Sequence, residues 1–375
     1  MIRPTSARGA CFITHPVFSR PGFGRHHPLS INRQAALLSL VEVLGLLPEA
    51  LKRIAEPADR ATLEQFHAPD YLDALERVSA DGVATADDRQ QYNLGTMECP
   101  IFPDLWTRAT ASVGGAILAA DLAIDGTIAF HPGGGTHHGR PDRASGFCYL
   151  NDPVFAVKRL LDRGLDRVAY VDLDAHHGDG VEAAFAEEPR VHLVSIHEAG
   201  RWPGTGSVTD RLGGRALNIP VPRGFSDSEL DAVWTAAVAP FLESAAPEGI
   251  VVTLGADALE GDPLAGMALS NAALWQATEA AVECAPHAVV LGGGGYNPWT
   301  TARLWAGMWA ILSGQTVPDT LPPAAIDLLQ GLDCDLVDDD DRAAIWFERL
   351  ADTVTETPVR AEIHDIIATL GIETP

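Results

Sequence analysis

Five short runs of β-branched and aliphatic residues, at 127–130, 167–172 (RVAYVD), 191–196 (VHLVSI), 249–254 (GIVVTL) and 287–291 (HAVVL), are separated by helix-length segments. Runs this continuous lack the in-out alternation of a sheet with one face in water. They belong to strands buried on both sides, and the helices between them impose parallel crossovers. The chain therefore reads as α/β: a single domain over residues 1–375 with a mostly parallel β-sheet flanked by helices on both faces. The helices leave their own signals. Residues 105–124 make a long apolar helix, and residues 270–284 make another. Asp152 is expected to cap a third, with Pro153 suited to its first position; Ser226 and Glu229 form a capping box ahead of a helix running through Trp234. The acidic stretch 333–341 reads as an exposed loop.

Bulk properties exclude some functions. A formal net charge of −25 speaks against a direct grip on nucleic acid, which needs Lys and Arg to neutralise phosphates. It equally suits solubility or an attraction for cationic substrates such as lysine side chains and polyamines. Five scattered cysteines, with no CxxC pair, point to reduced thiols rather than a disulfide framework or a thiolate zinc site. No membrane span and no secretory leader is evident, so the expected location is cytoplasmic.

In open parallel sheets, ligands bind outside the carboxyl ends of the strands. Here four strands run directly into polar or glycine-rich segments: 131–138 (HPGGGTHH), 173–180 (LDAHHGDG), 255–257 (GAD) and 292–296 (GGGGY). In an extended segment, residues two apart point to the same side. Asp174 and His176 can therefore turn towards one cation, with Asp172 on the same side but further back, placed to orient another group. Asp257, from a different strand, supplies a second carboxylate. Two carboxylates and an imidazole suit a catalytic zinc, which needs open positions for water and substrate. His137 and His138 diverge as neighbours and are better used for proton transfer, each needing a carboxylate to fix its tautomer; Asp172 and Asp179 are available. Tyr296 follows four glycines, and its hydroxyl is suited to donate to an oxyanion. The glycine run also admits a phosphate cradle, although no GxGxxG pattern or P-loop lysine accompanies it.

The segments GGGTHHGRPDRASGFCYLND (133–152), YVDLDAHHGDGVEAAF (170–185), LGADALEGDPL (254–264) and LGGGGYN (291–297) resemble the active-site motifs of histone deacetylases, most closely the class I type and its bacterial acetoin-utilisation relatives. YNLGTMECPIFPDLWTRATASVGGA (92–116) and WPGTG (202–206) resemble scaffold segments of that family, and the likeness runs over about 67–309. It implies an arginase/deacetylase-like fold and one zinc held by Asp174, His176 and Asp257. It also implies His138 as general base and acid, His137 as its electrostatic partner, and Asp172 and Asp179 as supports of the two histidines. Tyr296 would polarise the substrate carbonyl, and Gly146, Phe147, Trp202 and Leu264 would line the substrate tunnel. A structural potassium ion would use Asp172, Ser195 and the backbone of Asp174, His176 and Ile196. Arg33 resembles an arginine near an acetate-exit channel, with a helix-surface ion pair as its other reading. His67 and Tyr71 read as scaffold, and His26-His27 as surface loop or tunnel rim.

Two departures accompany the likeness. Gly139-Arg140 replaces a small-residue start to the segment after the histidine pair, with a reshaped rim as the expected result. No aspartate cleanly matches the one that grips substrate backbone in eukaryotic members, Asp87 and Asp88 being the nearby candidates. The implied activity is hydrolysis of acyl amides, on an acylated lysine peptide or protein, or on an acylated polyamine or small amine, with neither nucleic acid nor membrane as partner and an oligomer possible. A ureohydrolase with two manganese ions and a non-catalytic acyl-lysine binder are the competing readings.

Overall fold

The computed structural model describes residues 8–24 and 26–371; part of the amino-terminal segment read for a leader lies outside the described residues. Eight strands are present: β1 (Ala10–Thr14), β2 (Lys52–Ile54), β3 (Ile128–His131), β4 (Val168–Asp172), β5 (Val191–Glu198), β6 (Ala216–Val221), β7 (Gly249–Thr253) and β8 (His287–Leu291). They form one sheet in the order β2-β1-β3-β8-β7-β4-β5-β6, with every pairing parallel. All five strands expected from the sequence are there, each end within two residues of its expected place.

The helices that matter to the site are α1 (Arg33–Val43), α2 (Leu105–Ile124), α3 (Asp152–Asp162), α4 (Asp179–Ala184), α5 (Asp227–Val233), α6 (Asn271–Glu283) and α7 (Pro298–Leu312). Period-two alternation along the strands feeds two cores. Phe12, Phe130, Val171, Val252 and Val290 face the side covered by α1, α6 and α7, where Trp305 and Trp309 are fully buried. Ile13, Ala129, Tyr170, Val251 and Val289 face α2 and α3. With both faces covered, apolar residues are needed at every strand position, which is why the runs are continuous.

The cap of α3 differs from expectation. Asn151, not Asp152, occupies the cap, its side-chain oxygen accepting from Val154 N at 3.2 Å. Asp152 is the first helical residue, fully buried, and its carboxylate serves the loop after β3 instead. The Ser226–Glu229 capping box is present, with Glu229 accepting from Ser226 N at 3.0 Å. Regular α-helix there stops at Val233, and one wider π turn carries the chain on through Trp234–Val238. The acidic loop 333–341 is exposed apart from Cys334 and Val337. Arg342 fastens it, pairing with Asp339 at 2.7 Å and lying 4.4 Å over the Trp299 ring. No helix among the described residues is long and apolar enough to cross a membrane.

Arg215, just before β6, ties down the loop that follows α4. Its guanidinium donates to four backbone carbonyls, Ala186 at 2.6 Å, Glu188 at 2.8 Å, and Phe185 and Val191 at 3.4 Å. Removing it strands several half-buried acceptors, each worth about 1–3 kcal/mol. Arg215→Ala is expected to lower unfolding stability by about 2–4 kcal/mol, read as an earlier urea midpoint. An unchanged midpoint would show that these bonds are replaced by water without loss.

Candidate active site

The site is built where four central strands stop together. His131, Leu291, Thr253 and Asp172 are register partners across β3, β8, β7 and β4, so their loops leave the sheet side by side. These are the four strands whose polar sequels stood out in the sequence.

From β4 and β7 come the metal-ligating candidates. Asp174, His176 and Asp257 each offer one ligand atom within 4.8 Å of the others, the one group of this kind among the described residues. His176 Nδ1 is 3.1 Å from Asp174 Oδ1 and 3.0 Å from Asp257 Oδ2. Two donors about 2.1 Å from a shared zinc at a tetrahedral angle are roughly 3.4 Å apart, close to these separations. The remaining capacity of the carboxylates is used by backbone: Asp174 accepts from Gly294 N at 2.6 Å and from His176 N at 2.9 Å, and Asp257 accepts from Ala175 N at 3.0 Å. Burial opposes charge on His176, yet the two carboxylates push it up to about 10. Two carboxylates and an imidazole converging at these separations fit a divalent ion. Gly294 is required here because a side chain would overlap the Asp257 carboxylate.

Beside them are the paired histidines. His137 Nδ1 is 2.7 Å from Asp172 Oδ2, and His138 Nδ1 is 2.7 Å from Asp179 Oδ1. An ionised carboxylate only accepts, so each Nδ1 carries the hydrogen and each Nε2 points the other way. Their environments diverge. Burial opposes charge on His137, but Asp172 and Asp174 outweigh it and push the ring up to about 9. Burial and the neighbouring His137 push His138 down to about 3, against the pull of Asp179. Two rings pushed in opposite directions thus sit with centres 3.9 Å apart.

The carboxylates have braces of their own. Tyr170 OH donates to Asp172 at 2.7 Å. Arg140 forms an ion pair with the other oxygen of Asp179, so the Gly139-Arg140 departure steadies the His138 support rather than simply reshaping a rim. Asp152 accepts from Gly135 N at 2.9 Å and Thr136 N at 2.8 Å, fixing the glycine loop that presents both histidines.

Tyr296, 6% exposed, faces the same space. Its backbone N–H donates to Asp262 at 2.7 Å, and the other oxygen of Asp262 accepts from Leu264 N at 2.9 Å. Gly146, Phe147, Trp202 and Leu264 all line one outer cleft that ends on His138, His176 and Tyr296. Trp202 stands edge-on to His138 at 4.6 Å and is 46% exposed, an aromatic wall open to solvent.

Residues 27–312 match the family model of the histone deacetylase domain. The chain belongs to the histone deacetylase family. It is 36% identical over 303 residues to histone deacetylase 8 of Xenopus tropicalis, covering 78% of this chain and 81% of that one. It is 34% identical over 333 residues to the acetoin utilization protein AcuC of Bacillus subtilis (strain 168), covering 84% and 85%. A crystal structure of an HDAC homologue from Aquifex aeolicus superposes with a TM-score of 0.93 at 32% identity, over 97% of this chain and all of that one. Members of this family are hydrolases that deacetylate amides, and zinc dependence is the family norm.

Several residues of this deacetylase take places the sequence left open or missed. Asp87 and Asp88 are not at the cleft mouth. Asp88 is the N3 residue of the short helix Ala86–Tyr92 and pairs with Arg77, and Asp87 is exposed on that helix. Two glutamates line the cleft instead: Glu98, which accepts from Gly146 N at 2.5 Å and Asn93 Nδ2 at 3.0 Å, and Glu198, which pairs with Arg201 at 2.5 Å. His27 is buried behind the cleft wall rather than on the surface, its ring 4.4 Å from Phe147; His26 is exposed. His67 is scaffold, bridging the Arg140 carbonyl and Asn151 N, and Tyr71 OH donates to the Tyr149 carbonyl. Arg33 makes no surface ion pair: it donates to the Gly295 carbonyl at 3.0 Å, lies 5.2 Å over Trp305, and lines a second cavity on the inner side of the site. His177 turns away from the site to Thr205 and Glu182, holding the WPGTG loop. Asp172 and Ser195 are register partners on β4 and β5, and Ser195 Oγ is 2.9 Å from His197 Nδ1.

Proposed function

We propose that the chain works as one catalytic domain that hydrolyses N-acyl lysine side chains, with Asp174, His176 and Asp257 holding a single zinc ion. The observation that carries this reading is the meeting of that donor triad with two carboxylate-braced histidines and Tyr296 at the floor of one cleft. When bound, zinc supplies Lewis acidity to the acyl carbonyl and to the attacking water. The narrow wall of Phe147 and Trp202 aligns the alkyl stem of the substrate, and its acylated nitrogen reaches His138 and Tyr296.

His138, kept neutral with Nδ1–H on Asp179, takes a proton from water at Nε2. His137, held positive by Asp172, stabilises the charge that builds beside it. The Tyr296 hydroxyl donates to the oxygen of the developing oxyanion. His138 then returns the proton to the leaving nitrogen. The amide C–N bond breaks, the water oxygen ends on the acyl carbon as a carboxylate, and the lysine leaves as an amine. A potassium ion beside Asp172 and Ser195 would add rigidity behind His137; their adjacency on neighbouring strands supports that part of the reading. Acylated polyamines are a second substrate class compatible with the acidic chain.

The purified, zinc-loaded protein is expected to release the acyl group from a fluorogenic acetyl-lysine peptide and to be inhibited by a hydroxamate chelator. A zinc-loaded protein that binds the peptide without turning it over would instead be an acyl-lysine binder.

A further inference from the structure

Tyr296 ends a run of four glycines, 292–295, a stretch of backbone with little conformational preference of its own. At Gly295 φ is +136°, a value that residues with a side chain rarely adopt, and an added Cβ would fall 2.6 Å from Thr301 Oγ1. The chain thus reaches the oxyanion donor through its most permissive segment, so the placing of that donor has to come from outside the run. The Tyr296 hydroxyl cannot be the anchor, because it must stay free to meet the substrate carbonyl.

The restraint is concentrated on one peptide group, the one that joins Gly295 to Tyr296. Its N–H, on Tyr296, donates to Asp262 Oδ2 at 2.7 Å, and its carbonyl, on Gly295, accepts from Arg33 at 3.0 Å. A planar peptide held at both ends does not turn about its axis, which sets the direction in which the Tyr296 side chain leaves the backbone. On the far side, the Tyr296 carbonyl accepts a weaker bond from the Cys334 thiol at 3.6 Å. The second oxygen of Asp262 accepts from Leu264 N at 2.9 Å, and Asn297 Nδ2 donates to the Gly261 carbonyl at 2.9 Å, so the two loops are tied on both sides of the tyrosine. Asp262 itself is buried. Burying a carboxylate is costly unless hydrogen bonds compensate, and here both compensating bonds run to parts of the site, one to the oxyanion donor and one to the cleft wall.

We infer that Asp262 is a positioning residue of the reaction: by holding the Tyr296 and Leu264 amides on one carboxylate, it fixes the oxyanion donor relative to the wall that aligns the substrate stem. The inference rests on the deacylase reading above and adds to it a residue that acts through Tyr296 and Leu264 rather than on the substrate. Both oxygens of Asp262 are needed. An asparagine of the same shape offers one oxygen and turns a donor, its NH2, towards the other N–H.

The test is a double-mutant cycle on the zinc-loaded enzyme with an acetyl-lysine peptide, combining Asp262→Asn with Tyr296→Phe. With Tyr296 present, Asp262→Asn should lower kcat about 10–100-fold, the scale of a sub-ångström to ångström displacement at a reacting centre, with zinc content unchanged. With Tyr296→Phe already in place, the same substitution should lower kcat less than about threefold, because the hydroxyl it positions is gone. A residue that only supports the fold would cost the same in both backgrounds. Equal losses, an Asp262→Asn enzyme with full kcat, or one that has lost its zinc overturns the positioning role and leaves the deacylase reading standing. A wild-type enzyme without turnover overturns both. Should Asp262→Asn not fold, hydrogen exchange in the wild-type protein decides: the Tyr296 amide is expected to be strongly protected, and exchange at the rate of an exposed amide would overturn the grip.

Discussion

Replacing His138 with alanine is expected to lower kcat on an acetyl-lysine peptide by about 10²–10⁴-fold, while hydroxamate binding and zinc content stay near wild type. The size of the effect follows from how the ring is held. Its Nδ1 is committed to Asp179 at 2.7 Å, Arg140 fixes that carboxylate from the other side, and burial with the neighbouring His137 keeps the ring in its proton-accepting form. His137 is placed differently: burial opposes its charge, but Asp172 at 2.7 Å favours the charged ring, the opposite of the direction in which His138 is pushed. The same change at His137 should therefore cost less, since it removes a charge rather than the proton carrier. Steady-state rates for both variants, with a hydroxamate titration as the folding control, check the order. A His138→Ala protein with near-normal kcat would assign the proton transfer elsewhere.

Tyr296→Phe is expected to lower kcat by about 10²–10³-fold, the usual cost of one oxyanion donor in a water-poor site. The ring would stay in place, because its position is set by Asp262 gripping the Tyr296 backbone and by the Phe147 ring 5.9 Å away, neither of which involves the hydroxyl. The loss should thus appear in kcat with little change in KM or bound zinc. Equal losses in zinc content and rate would mean that the substitution disturbs the metal donors instead.

Much of this arrangement was readable from the chain itself. A parallel sheet buried on both faces leaves uninterrupted aliphatic runs, and the residues that end those runs are the ones the register brings into a single row. What escaped has particular causes. β2 has only three residues, two of them exposed, and Asn218 and Pro220 break the apolar run of β6. Asn151 and Asp152 are both good cap residues, so only the coordinates decide that the first caps and the second serves the glycine loop. Glu98 escaped a search for an aspartate, although a carboxylate one methylene longer also reaches the cleft mouth. Arg108 lies on a helix where an arginine is ordinarily solvent-facing, and nothing local distinguishes a helix that borders a cavity.

The central claim is that Asp174, His176 and Asp257 share one ion on which turnover depends. Metal content per chain, measured by elemental mass spectrometry alongside kcat in the wild-type protein and in Asp257→Ala, tests it most directly. The account predicts one zinc per wild-type chain, with zinc and turnover lost together in the variant. Two manganese ions per chain, or an Asp257→Ala protein that keeps its rate without bound metal, would contradict it.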